Sequence, residues 1–315
     1  MIVCADLLLP GTMRAEELHA VADGAIHQFG FRSLGRGVQL RFDDPQAAQI
    51  FARRYADFPT CDNADFHGYA GRHGNEYVFW TSQEHQYRWV HGQLSQAQIA
   101  FLADAVFLRS FFTSVPNALT FHGAVCYASG VAVAIAAEST GGKTTTAVAC
   151  ARRGMPLYSD ERCVLLGDTV HSFPRSLSIR PGGLELLLRD RVETDGGIGQ
   201  RLRGQNIDWA CVRFSELFGS AEAPPVAELK VIFAIRGRSS SPRVAQTHWS
   251  QRFAPLLYAT QGSCRGIDLA SMLARALTGI KTFDLVLGAP DQTARLLAET
   301  VQAAAVPPLA VSTRR

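Results

Sequence analysis

The sequence predicts an α/β protein: a P-loop sheet domain preceded by a smaller N-terminal α/β domain. Three observations predict it. Val131 to Ala137 is apolar at every position, as a strand covered on both faces must be. It runs directly into Glu138-Ser139-Thr140-Gly141-Gly142-Lys143-Thr144, which combines paired glycines, a lysine and a hydroxyl. The stretch Thr144 to Arg153 is then compatible with a helix and stops at Gly154, shortly before Pro156.

The first domain spans residues 1–93. Glu16 to Phe29 has helical spacing, Gly37 to Phe42 alternates like a half-exposed strand, Asp44-Pro45 opens a short helix to Tyr55, and Tyr77 to Trp80 is β-prone. Residues 94–115 form a helical connector, because apolar residues recur at three-to-four spacing from Ile99 to Phe112. The second domain, 116–305, begins after Pro116-Asn117. Leu119 to Tyr127 and Val131 to Ala137 read as a hairpin about Ala128-Ser129-Gly130. Leu157 to Ser159 is a short strand ending at Asp160 and Glu161. Cys163 to Leu166 and Val170 to Phe173 flank Gly167-Asp168 as a second hairpin. Gly182 to Asp190 suggests a helix, and Glu193 to Gln205 a mobile loop. Glu228 to Ile235 is a strand, Ile267 to Leu277 a helix, Thr282 to Leu287 a strand and Pro290 to Ala304 a helix. Residues 306–315 are a tail that Pro307-Pro308 keeps from continuing that helix.

At 315 residues the chain has length for about two domains, and 47% apolar with 19% charged residues is ordinary for a folded chain. A formal charge of +3 without a dense basic run argues against a nucleic-acid partner. No stretch approaches the roughly 18 apolar residues of a spanning helix, and no basic leader opens the chain, so a cytoplasmic protein with no membrane partner is expected. The seven cysteines lack CxxC spacing and read as buried thiols rather than metal ligands.

The glycine–lysine segment carries the chemistry. In a phosphate loop, backbone N–H groups wrap the phosphates, the lysine reaches the outer ones, and the following hydroxyl meets magnesium. Here Lys143 and Thr144 hold those places, with Glu138 to Gly142 and Thr145 completing the cradle; Ala137 stands where the pattern has its first glycine. The helix beginning near Thr144 turns its unpaired N–H groups and positive dipole end toward the loop. A kinase also needs a carboxylate to accept the acceptor's proton and another to help hold magnesium, and Asp160 and Glu161 are the candidates. A parallel βαβ arrangement would bring their strand end beside the phosphates. His122, among apolar β residues, reads on its own as a satisfied core side chain.

Taken in order, Phe121-His122-Gly123-Ala124, Glu138 to Thr144, Ala151-Arg152-Arg153-Gly154 and Ser159-Asp160-Glu161 resemble the HPr kinase/phosphorylase family over about residues 118–180. The resemblance implies a carboxykinase-like P-loop fold and ATP- and Mg2+-dependent phosphorylation of a serine. It implies Lys143 on the β- and γ-phosphates, Thr144 on magnesium, Asp160 as general base, Glu161 assisting the metal, and His122 as a site histidine. It also implies a homo-oligomer. Ala137 and Thr140 replace family glycines, Glu161 replaces an aspartate, and the family's downstream signature is not found. The run Phe173 to Gly182 is more similar to HPr-kinase-like proteins of peptide biosynthesis, including kinases that phosphorylate a lasso peptide precursor on its C-terminal serine.

Arg175 and Arg180 are candidates to face the nucleotide or an acidic acceptor, and Arg203, Arg236 and Arg238, in or near segments read as loops, to neutralise transferred phosphate. The expected function is an ATP-dependent serine kinase acting on a peptide or protein. A kinase of free serine or another metabolite, and a regulatory module that binds nucleotide without transfer, stand beside it.

Overall fold

Leu34 and Gly35 adopt positive φ, 50° and 76°, and this two-residue turn folds β2 (His27–Ser33) back onto β3 (Arg36–Phe42) in antiparallel register. The computed structural model describes residues 9–10, 13–83, 86–89, 93–138, 140–183, 200–204, 207–219, 224–258 and 260–305. It is a mixed α/β protein with three sheets. Its contacts divide into two compact units, one of Met1–Ala118, Phe173–Gly219 and Gln261–Arg265, the other of Leu119–Ser172, Ser220–Thr260 and Gly266–Arg315. The expected domains differ from these units, because residues 94–115 and 173–219 fall with the N-terminal one.

In the first unit, six strands lie in the order β1-β6-β5-β4-β3-β2, adding β1 (Leu9–Pro10), β4 (Phe66–His73), β5 (Glu76–Thr81) and β6 (Gln86–Trp89). Helix α1 (Ala15–Gly24) is shorter than the Glu16 to Phe29 pattern. It ends at Gly24, and Phe29 and Phe31 enter β2, where they stack with centroids 5.8 Å apart. Helix α2 (Pro45–Arg54) crosses between the parallel pair β3 and β4, and its first turn is capped by Asp44, which accepts from the Ala47 amide at 2.8 Å. Helix α3 (Gln96–Ser114) starts at a reciprocal cap: Ser95 N donates to Gln98 Oε1 and Ser95 Oγ accepts from Gln98 N. The expected connector is a core helix. Phe107 and Phe111 meet Phe66 edge-on at 5.7 and 5.5 Å, and each buried ring contributes about 1.5–3 kcal/mol.

Asp104, on α3, is buried with Arg54 and Arg175 on its Oδ2 at 3.0 and 2.5 Å and with the Tyr55 hydroxyl donating to Oδ1. Arg175 is therefore part of a buried ion-pair network, which corrects the expectation that it faces nucleotide or acceptor. A three-stranded antiparallel sheet, β13 (Leu177–Ile179), β14 (Gln200–Gly204) and β15 (Ile207–Val212), ordered β13-β15-β14, and the short helix α5 (Phe214–Phe218) complete the unit. Residues 200–204 are thus a strand where a loop was expected, since Gln200 to Gly204 finds a full ladder on Ile207 to Cys211. The expected helix from Gly182 to Asp190 lies mostly outside the described residues, as do 193–199 of the expected loop and the tail.

In the second unit the chain leaves β7 (Ala118–Phe121) and bends at His122 into β8 (Gly123–Ala128), which pairs with β9 (Val131–Ala136) across a positive-φ turn at Ser129 and Gly130. Only the later half of the expected hairpin is therefore a hairpin. A Cβ on Gly123 would lie 3.2 Å from Ile135 O and 3.3 Å from the Phe121 ring, so a side chain at the bend would have to push these neighbours back by a few tenths of an ångström. Helix α4 (Lys143–Arg152) follows β9. The short β10 (Leu157–Ser159) pairs antiparallel with β8, not parallel with β9 as expected. Two antiparallel steps leave β10 running in the direction of β9, so both strands end on the same side of the sheet. β11 (Cys163–Leu166) and β12 (Thr169–His171) form the second expected hairpin. β16 (Val226–Arg238) pairs parallel with β9 and with β19 (Lys281–Leu287), and β17 (Arg243–Thr247) lies antiparallel on β19. Arg236 and Arg238 are on β16 rather than in a loop, because the strand runs past the Ile235 expected as its end. The 3-10 turn Trp249–Arg252, short β18 (Thr260–Gly262), α6 (Phe253–Tyr258), α7 (Gly266–Leu277) and α8 (Pro290–Ala305) complete the described elements of this part of the chain.

Candidate functional site

β9, β16 and β19 are parallel neighbours, and β10 shares their direction, so four strands deliver their last residues to one end of the sheet. The loop after β9 turns there into α4. Gly142 caps the helix at φ 99°, which a side chain rarely adopts, and a Cβ on it would lie 2.8 Å from Leu287 Cδ1. A Cβ on Gly141 would lie 2.8 Å from the Ala137 Cβ, so the loop that carries Ala137 needs glycine at 141. Thr140 sits at φ 67°, the conformation glycine tolerates and a β-branched residue does not favour. Ser139 lies outside the described residues.

Lys143 is 6% exposed, and its Nζ donates to the Ala137 and Glu138 carbonyls at 3.0 and 2.9 Å. Burial pushes its ammonium below the ordinary lysine value, against the pull of the Asp160 and Glu161 charges. Thr144, in the first turn, donates its hydroxyl to Asp160, 3.1 Å from Oδ1 and 2.9 Å from Oδ2. Asp160 is 2% exposed at the end of β10. Glu161 follows at φ 67°, and its carbonyl accepts from His122 Nδ1 at 3.0 Å. Since a carbonyl cannot donate, Nδ1 carries the proton and Nε2 holds a lone pair. Burial lowers the His122 pKa, helped by the Lys143 charge and opposed by the Glu161 charge and carbonyl, so the ring is neutral near pH 7.

The structure thus gathers Lys143, Thr144, Asp160, Glu161 and His122 at one end of one sheet. Glu138, Gly141, Gly142 and Thr145 lie in or beside the loop, and Arg238 reaches it from β16. Arg175, Arg180 and Arg203 belong to the other unit, and Arg180 is exposed. Leu287 and Gly288 were not singled out as site residues from sequence, although Gly288 after the strand run Thr282 to Leu287 is a strand-end signal. A Cβ on Gly288 would strike Pro242 at 2.5 Å, so the passage from β16 to β17 crosses directly over it. Among the described residues no group of three or more His, Cys, Asp and Glu is placed to hold a metal, and no helix is long and apolar enough to cross a membrane.

No protein-family model and no curated protein sequence matches the chain. Among solved structures, the HPr(Ser) kinase/phosphatase from Coxiella burnetii matches with a TM-score of 0.29 and 12% identity, covering 58% of this chain and 94% of that one. A likeness of that size carries no argument about this chain, and the reading of the site rests on its own geometry.

Proposed function

We propose that the chain is an ATP- and magnesium-dependent P-loop kinase of the carboxykinase-like type. It transfers a phosphoryl group to a serine hydroxyl of a peptide or protein. The single observation that carries the reading is the Thr144 hydroxyl on the Asp160 carboxylate at the start of α4, beside the buried Lys143. A hydroxyl from the first helical turn and a carboxylate from a strand end are the pair of protein oxygens that P-loop enzymes present to magnesium, which needs only one or two such ligands. The side-chain-free cradle at Gly142 and the helix N-terminus fit a phosphate chain.

Magnesium, when bound, supplies positive charge to the oxygens of the transferring group. The remaining work falls to the chain. Lys143 exchanges the Ala137 and Glu138 carbonyls for phosphate oxygens. The backbone N–H groups of the loop orient the phosphates. His122, held by its Nδ1–H on the Glu161 carbonyl, has Nε2 free to accept the serine proton. The base role expected of Asp160 passes to His122 in this proposal, because the Asp160 carboxylate is already turned to Thr144. The acceptor class, a ribosomal precursor peptide of the lasso type ending in serine, comes from the resemblance of Phe173 to Gly182.

The test is to incubate the full chain with ATP, magnesium and such a peptide, and to look by mass spectrometry for the gain of one phosphoryl group. Transfer by wild type and its loss in Lys143→Ala and Asp160→Ala is expected. Turnover retained in Lys143→Ala would sink the proposal.

A further inference from the structure

We infer that Arg238 reads the outermost phosphate of the bound nucleotide and makes the site select a triphosphate over a diphosphate; the inference rests on the nucleotide reading above. Its first support is register. β16 pairs with β9 up to Ala234 opposite Ala136, where β9 stops, and β16 then continues to Arg238 alongside the loop. The second is contact. The Arg238 Nη2 lies 3.1 Å and Cζ 3.9 Å from where a Cβ of Gly142 would be. Glycine at 142 therefore serves two ends, the φ of 99° and room for a guanidinium against the helix cap.

The third support is electrostatic. The N-terminus of α4 is the positive end of its dipole, and Lys143 is already buried there. A second cation at the same end is unfavourable unless an anion lies between them. No ion pair of Arg238 occurs among the described residues, whereas Arg252, in the 3-10 turn Trp249–Arg252, is matched by Asp284 of β19, its Nε 2.7 Å from Oδ1. Asp160 and Glu161 answer Lys143 from the β10 side, so the uncompensated charge lies on the β16 side. A planar guanidinium exposed at a helix N-terminus matches the paired oxygens of a phosphate group. With Lys143 and the loop N–H groups on the inner phosphates, Arg238 is left for the terminal one. Strain of this kind, three positive features converging with no protein anion among them on one side, is what a site for a polyanion looks like before its ligand arrives.

The test measures binding of ADP and of the β,γ-imido analogue of ATP, both with magnesium, to the full-length wild type, Arg238→Ala and Arg238→Lys. In Arg238→Ala the affinity for the imido analogue should fall by on the order of tenfold or more while that for ADP changes less than about twofold. Arg238→Lys should fall between. The melting temperature of nucleotide-free Arg238→Ala should stay level or rise, because a like charge leaves the helix end. Equal losses for both nucleotides, no loss for either, or a lower melting temperature would assign Arg238 elsewhere and overturn the inference. A wild type that binds neither nucleotide above a Lys143→Ala blank would overturn the nucleotide reading on which the inference stands.

Discussion

Thr144 Oγ1 donates to both carboxylate oxygens of Asp160 and so ties the first turn of α4 to the end of β10. Thr144→Val keeps the volume and removes the donor, leaving a 2%-exposed carboxylate short of a partner. Transfer should fall by roughly 10²–10³-fold, and the magnesium concentration for half-maximal rate should rise. Thr144→Ser should restore most of both. Rates measured across a magnesium series check this; a Thr144→Val enzyme with unchanged magnesium dependence would separate the pair from the metal.

Thr140 holds a positive φ that costs a β-branched residue about 1–2 kcal/mol. Thr140→Gly should therefore raise stability by a few tenths to about 1 kcal/mol, glycine's extra chain entropy offsetting part of the relief. Gly142→Ala should do the reverse, losing roughly 1–3 kcal/mol, because φ 99° and the Leu287 contact both oppose a methyl group. Urea midpoints of the two variants against wild type give the signs directly, and a destabilised Thr140→Gly would mean that the threonine is held there by something other than sterics.

His122 Nδ1 is fixed on the Glu161 carbonyl, and Glu161 itself sits at φ 67°. Asparagine places an N–H near the Nδ1 position, so His122→Asn should keep that hydrogen bond and the fold while removing the proton acceptor. Nucleotide affinity should be unchanged and transfer should drop by about 10²–10⁴-fold. A transfer rate near wild type would reduce His122 to the bend between β7 and β8.

The strand, loop and helix around Lys143 were legible because each part has a local cause: an apolar run, paired glycines, a C-cap at Gly154. The arrival of the Asp160 strand end beside the phosphate loop was also expected, but for a reason the fold does not use. A parallel crossover would have placed β10 beside β9, whereas β10 reaches the same end through two antiparallel pairings, a choice made by tertiary partners that no local pattern records. No local pattern separates Arg238 from Arg175, since both are arginines near strand ends. One follows an unbroken β run whose length depends on pairing with β9 and β19; the other is drawn to Asp104, which in sequence is one acid in an apolar helix. Phe29 fits the helical spacing from Glu16 as well as alternation with Phe31, and the turn at Leu34-Gly35 decided for the strand.

Asp104 makes the first unit sensitive to acid. Burial alone would raise its pKa, but the guanidiniums of Arg175 and Arg54 and the Tyr55 hydroxyl outweigh that and hold it below the ordinary value. A carboxyl lowered by folding adds stability that is full above its unfolded pKa, near 4, and is lost as pH falls through the folded value. Urea midpoints should thus decline below about pH 4 in wild type. Asp104→Asn removes the charge that both arginines need and should cost about 3–5 kcal/mol at neutral pH. It should also flatten the acid-side decline. Because two guanidiniums share one carboxylate, with Arg54 also 4.4 Å above the Phe101 ring, the loss should exceed that of the partly exposed pair Arg53–Glu216 in a matched Glu216→Gln variant. Parallel pH curves for wild type and Asp104→Asn would show that the network is not what acid breaks.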